Sequence, residues 1–146
     1  MMDIKYEYGD QSDIYKDAIK IRKTVFIEEQ GVPEDIELDH LDYKTTHYVG
    51  YVDGEPVTTA RIYEDPIHEY HLQRVATLKE HRGKGYGKEL VIFIERSLRH
   101  KPDAKIWLSA QDTALPFYKK MGYSTLSDGF MEAGIPHHSM EKFINS

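Results

Sequence analysis

The chain has 146 residues, 40% of them hydrophobic and 30% charged, which suits one core and reads as a single domain over residues 1–146. It contains no cysteine, and so excludes disulfide frameworks, thiolate metal sites and cysteine nucleophiles. Its formal charge of −6 argues against a general binder of nucleic-acid backbones, and the absence of a membrane-length apolar run or signal-peptide core predicts a cytoplasmic protein with neither nucleic acid nor membrane as partner.

Asp3 to Tyr8 alternate polar and apolar before Gly9, predicting a strand. Ser12 or Asp13 can cap a following helix whose apolar stripe runs Ile14, Ala18, Ile21, Val25 and on to Glu29, ending before Gly31-Val32-Pro33. Glu34 to Lys44 reads as a polar loop. Thr46 to Val52 and Pro56 to Tyr63 read as strands joined by the hairpin signal Asp53-Gly54. A further strand, Leu72 to Leu78, runs into the basic, glycine-rich segment Lys79 to Gly87, and Lys88 to His100 carries Leu90, Val91, Ile94 and Leu98 on one helical stripe. After Pro102-Asp103, Lys105 to Ala110 predicts a buried strand. Thr113 to Met121 predicts a short helix with Pro116 in its first turn and Gly122 at its end. Two strand-like pieces follow between Tyr123 and Phe143, around turns at Ser127-Asp128-Gly129 and Gly134-Ile135-Pro136. The order implies a mixed α/β fold with an antiparallel beginning and a strand-loop-helix-strand centre.

The segment Arg82-Gly83-Lys84-Gly85-Tyr86-Gly87 lies between a predicted strand and a predicted helix. Glycines at alternate positions free the backbone, and a helix start offers unpaired N–H groups and a positive dipole end, which together suit a phosphate. The dinucleotide fingerprint fails because Lys88 and Leu90 stand where its third glycine belongs, and the nucleotide P-loop fails because Gly87-Lys88 is followed by Glu89. From Lys79 to Lys88 there are three Lys, one Arg and one Glu, a local +3 in a chain of −6. Glu28 to Asp42 holds seven carboxylates and no Lys or Arg, an acidic stretch that is either a solvated loop or a surface that attracts a cation. His68-Glu69-Tyr70-His71 lacks the spacing of a zinc motif, so no metal is expected.

Arg82 to Gly87, closing a strand and opening a helix, resembles the acetyl-coenzyme A pyrophosphate loop of the GNAT acetyltransferase superfamily. Ala114 to Tyr123 (ALPFYKKMGY) is similar to that superfamily's later helix-then-strand pattern. The segments Val25 to Pro33 and Glu132 to His138 resemble the small bacterial ElaA-like branch. The resemblance implies the acyl-CoA N-acyltransferase fold, a mostly antiparallel sheet with a central splayed parallel pair and flanking helices. It implies acetyl-coenzyme A as co-substrate, bound by Val75, Ala76 and Thr77 along the pantetheine arm and by Arg82, Gly83, Lys84, Gly85, Tyr86, Gly87 and Lys88 at the pyrophosphate. Direct acetyl transfer to a primary amine of a small molecule or peptide follows, with Tyr118 protonating the departing thiolate and Glu29 as the candidate base; His137 and His138, beside the last strand, either reach the same site or are polar surface. Relatives form homodimers, and the sequence does not decide the oligomeric state. A non-catalytic coenzyme A sensor or interaction module is the alternative that shares the loop but not the chemistry.

Overall fold

The computed structural model describes residues 1–65, 69–126 and 128–144. One sheet takes the strands in the order β1 (Asp3–Tyr8), β2 (Thr46–Val52), β3 (Glu55–Glu64), β4 (Glu69–Thr77), β5 (Lys105–Gln111), β8 (Ile135–Phe143) and β6 (Ser124–Thr125), with β7 (Phe130–Glu132) also on β8. Every pairing is antiparallel except β4 with β5. The mixed sheet expected from the sequence is therefore the one observed.

The β2–β3 hairpin turns on Asp53 and Gly54, with φ of 52° and 79°, the positive pair that a two-residue turn of this hand requires. Helix α1 (Asp13–Arg22) starts at Ser12, whose Oγ accepts from Tyr15 N at 3.0 Å. Its chain continues through Lys23–Glu29 as a π-helix, with Gln30 N donating to Val25 O. The wider turn explains why the predicted stripe fails at its last member. Ala18, Ile21 and Val25 are buried together with Val49 and Ala76, whereas Glu29 is rotated off that face and exposed. The segment read as a polar loop contains a short helix, α2 (Glu34–Glu37), and a 3₁₀ turn at Asp42–Lys44.

Helix α3 (Tyr86–Leu98) lays Leu90, Val91, Ile94 and Leu98 into the main core with Val57, Leu72, Ile106, Leu108 and Met140. A last short helix, α4 (Leu115–Lys120), follows β5, carries Pro116 in its first turn and ends at Gly122, whose φ is 97°. No helix among the described residues is long and apolar enough to cross a membrane.

Candidate functional site

The site begins with a fault in β4. Between Thr59 and Arg61 the register with β4 slips, the two residues Arg74 and Val75 of β4 facing the single residue Ala60 of β3. The extra residue places Arg74 at φ 57°, in the left-handed region that a long side chain rarely adopts. It also reverses the side-chain alternation, so Leu72 packs with the α3 core while Ala76, of the same parity, packs with α1. Strands β4 and β5 pair only from Glu69–Lys105 to His71–Trp107, where the His71 and Trp107 rings meet at 3.8 Å. Beyond that contact the strands part, and a cavity of about 590 Å³ lies between Leu72–Thr77 on one side and Leu108–Gln111 on the other. The bulge leaves a stretch of β4 main chain facing this cavity instead of β5.

At the end of β4 the chain enters the glycine loop. Gly83 and Gly85 have φ of 79° and 82° with open space around each α-carbon, so these glycines serve backbone conformation; Gly87 serves proximity, since a Cβ there would meet Thr77 Oγ1 at 3.3 Å. Gly85 is the N-cap of α3 and offers no side-chain acceptor. The first N–H groups of this 13-residue helix thus face the cavity that Tyr86, Gly87 and Lys88 help line, an arrangement suited to an anion. Val75, Ala76, Thr77, Arg82, Gly83 and Gly85 line it too, while Lys84 is not among the lining residues. Arg82 donates from Nε to Thr77 O at 2.9 Å and grips the Glu29 carboxylate with both terminal nitrogens at 2.7 Å.

That grip changes the reading of Glu29. Hydrogen bonds from Arg82, reinforced by the Arg82 and Lys79 charges, hold its carboxyl below the ordinary range. A carboxylate so engaged, on a residue outside the cavity wall, is a weak proton acceptor and a good orienting partner for Arg82.

The acidic stretch also differs from expectation, because its inward carboxylates are already paired. Arg22 donates to Glu37 at 2.6 Å and to Asp42 at 2.8 Å; Arg61 reaches Asp39 at 2.6 Å and Asp42 at 2.9 Å; Arg74 lies 3.1 Å from both Glu37 and Asp39. Three arginines and three carboxylates cancel, so this part of the wall presents no uncompensated negative field. The network ties α2 to α1 and to the bulge, holding Ile36 and Glu37 at the cavity rim.

Burial opposes charge on Asp42 and Asp39, but the arginines more than offset it and both carboxyls titrate below the ordinary aspartate value. Beside them His47 donates from Nε2 to Asp42 O at 2.9 Å, its Nδ1 buried without a hydrogen-bond partner among the described residues. Burial pushes its imidazole below the usual value. The His47 contribution to stability is full above the unfolded histidine value of about 6.5 and is lost as pH falls through its lower folded value; the aspartate contribution is full above about 3.9 and is lost lower still. Urea midpoints measured against pH should therefore fall in two stages on acidification, and His47→Gln should shrink the first, to which His71, also pushed down by burial, contributes the rest. A wild-type protein that gains stability between pH 7 and 5 would contradict this assignment.

On the opposite wall α4 presents Tyr118, buried and in edge contact with Phe117 and Tyr123. Burial raises its phenol pKa, with no charged or hydrogen-bonding neighbour contributing among the described residues. His137 lines the cavity from β8, whereas His138 is turned to Asp112, Nδ1 to Oδ1 at 2.6 Å. The single dipeptide therefore divides its two rings between two environments. His68 lies outside the described residues. Its neighbours Asp65, Glu69 and His71 converge, with ligand atoms within 4.8 Å of one another, and Glu69 is also held by Lys105 at 3.1 Å. Glu132, Gln30 and Gln111 are wall residues that sequence reasoning did not single out; the two glutamines bridge the cavity mouth at 2.8 Å.

Residues 11–144 match the family model of the acetyltransferase (GNAT) domain. The uncharacterized N-acetyltransferase YjcF of Bacillus subtilis is 39% identical over 128 residues, covering 87% of this chain and 91% of that protein. Protein ElaA of Escherichia coli is 31% identical over 130 residues, covering 86% and 85%. Its crystal structure superposes with a TM-score of 0.84 over 97% of this chain and 99% of that one, at 26% identity. An aminoglycoside 6′-N-acetyltransferase solved with coenzyme A shares the fold, with a TM-score of 0.73, 15% identity, and 96% and 97% coverage. The strand splay, the loop at the start of α3 and these likenesses agree, and the chain belongs to the GNAT acetyltransferase family, resembling its ElaA-like branch.

Proposed function

We propose that this acyltransferase moves the acetyl group of acetyl-coenzyme A directly to a primary amine of a small molecule or peptide, within a complex of both substrates. The observation that carries the reading is the parting of β4 from β5 around a cavity that has an uncapped helix N-terminus at one end and the buried Tyr118 on its wall. The coenzyme A complex of the aminoglycoside 6′-N-acetyltransferase, which has the same fold, supports a coenzyme A donor.

The pyrophosphate is held by main-chain N–H groups from Arg82 through Gly83, Lys84, Gly85, Tyr86 and Gly87 to Lys88, with Arg82 and Lys84 as charge partners. Val75, Ala76 and Thr77 offer the main chain freed by the bulge to the pantetheine arm, and an N–H on that edge polarises the thioester carbonyl. The neutral amine nitrogen attacks the carbonyl carbon, the C–S bond breaks, the thiolate takes its proton from Tyr118, and the N–H proton shed by the nitrogen restores the tyrosine. The absence of cysteine agrees with a route that has no thioester on the enzyme.

Acetyl-coenzyme A at a hundred times its dissociation constant stabilises a native state by about 2.7 kcal/mol. For a chain of this size that corresponds to a rise of roughly 5–10 °C in melting temperature. Absence of any shift at millimolar acetyl-coenzyme A would refute the donor. A panel of amines, read by released thiol, identifies the acceptor.

A further inference from the structure

We infer that His137 and Glu132 form the acceptor end of the site: together they recognise the primary amine as an ammonium ion, and His137 Nε2 removes its proton. The inference rests on the amine-transfer reading and adds to it the base and the cation-binding group.

The argument starts from one hydrogen bond. His137 Nδ1 lies 2.7 Å from Ile135 O, and a carbonyl oxygen can only accept, so Nδ1 carries the hydrogen. The neutral ring must then present a bare Nε2. That nitrogen lies 3.6 Å from Glu132 Oε2. While His137 is neutral, these are two acceptors facing each other, with no proton of their own to share. A primary ammonium supplies what is missing, one N–H to Nε2 and another to the carboxylate. Both residues line the cavity that Tyr118 also lines.

The ring is fixed for this task. His137 is 6% exposed and faces Phe130 across the β7–β8 pairing, the two rings stacked at 5.8 Å with an interplanar angle of 21°. Glu132 pairs with Ile135 across the tight turn through Ala133 and Gly134, whose φ values are 52° and 75°, and so lies diagonal to His137 in the ladder. Across β5 the partner of His137 is the neutral Gln111, and Asp112 is occupied by His138. The other charged or titratable groups on the cavity wall among the described residues are Glu37, Arg74, His81, Arg82, Lys88 and the phenols of Tyr86 and Tyr118. Glu37 and Arg74 are paired with each other and Arg82 with Glu29.

The proton balance is simple. The ammonium N–H bond breaks, the proton moves to Nε2, and the imidazolium is held by Glu132. The freed lone pair attacks the thioester carbon. Tyr118 protonates the departing sulfur, the second N–H proton shed as the nitrogen becomes an amide restores the tyrosine, and the proton on His137 leaves to water.

The test uses the full chain with acetyl-coenzyme A and two probe amines, the ε-amine of Nα-acetyl-lysine amide (pKa about 10.4) and the α-amine of glycine amide (about 7.7–8.0). For the ε-amine His137→Gln should lower kcat/KM by about 10²–10⁴ at pH 7, and the loss should shrink as pH rises, because the variant then depends on the roughly tenfold gain per pH unit in amine already deprotonated in water. The α-amine, already partly unprotonated, should lose much less. Glu132→Gln should raise KM for the ε-amine about tenfold or more, the scale of one hydrogen bond to a charged group. Both variants should keep the melting shift with acetyl-coenzyme A, which separates this assignment from a folding defect. Independently, ¹⁵N spectra of the free protein should show neutral His137 protonated at Nδ1. An Nε2–H signal from that ring, or equal rates in wild type and His137→Gln, overturns the assignment. So does wild-type inactivity toward both amines with the melting shift intact, an outcome that leaves the donor site standing. Loss of the melting shift in the wild type removes the donor reading as well.

Discussion

Replacing Arg22 with methionine is expected to cost about 3–5 kcal/mol of folding stability, the penalty of leaving buried charge uncompensated. Arg22 is 1% exposed and makes three bonds, to Glu37 Oε2 at 2.6 Å, Asp42 Oδ1 at 2.8 Å and Glu37 O at 3.1 Å. Methionine fills much of the volume but leaves Glu37 with Arg74 and Asp42 with Arg61, two carboxylates that each lose their closest contact. The double variant Arg22→Met, Glu37→Met should recover part of the loss, because removing both partners of a buried pair is far milder than removing one. Urea unfolding of the wild type and both variants measures this directly. A loss below about 1 kcal/mol in the single variant, the scale of exposed pairs, would show that the network is solvated. The effect should extend to the site, since the same bonds hold Ile36 and Glu37 at the cavity rim.

How much of this could be read from the sequence differs from element to element. The strand at Asp3–Tyr8, the Asp53-Gly54 hairpin and the stripe of α3 follow short periodicities and local turn chemistry, and they appear where expected. The glycine loop was legible because its residue types and its place between strand and helix carry the same message. The bulge at Arg74 was not. Leu72 and Ala76 share a parity, so alternation puts them on one face; only pairing with β3, a long-range event, separates them. The π-helical turn after Arg22 is likewise invisible to a 3.6-residue period, and it is what turned Glu29 from an expected base into the partner of Arg82. The arginine network left a trace that was overlooked. Arg22 falls on the apolar stripe beside Ala18 and Val25, ahead of a segment with seven carboxylates and no Lys or Arg, and a lone arginine on a buried face calls for such a partner. Glu132 was unreadable as a site residue because its role depends on the tautomer of His137, which depends on a carbonyl two residues away.

Tyr118→Phe is the variant that most directly tests the chemistry, and kcat for acetyl transfer should fall by about 10²–10⁴, the usual contribution of a positioned acid. The substitution removes one oxygen and keeps the ring that contacts Phe117 and Tyr123. Because no charge or hydrogen bond among the described residues acts on the phenol, its loss strands no partner. Stability should therefore change little, and the melting shift with acetyl-coenzyme A should survive. Burial raises the phenol pKa, so the group remains protonated throughout the neutral range. A thiolate forming against the same dry wall has its own proton affinity raised for the same reason, which keeps the transfer matched. The fall should consequently be nearly constant from pH 6 to 8, in contrast to the pH-dependent loss expected at His137. Wild-type turnover in Tyr118→Phe would move the proton donor to water or to another residue, while a large loss of acetyl-coenzyme A binding would make Tyr118 a packing residue of the cavity wall instead of its acid.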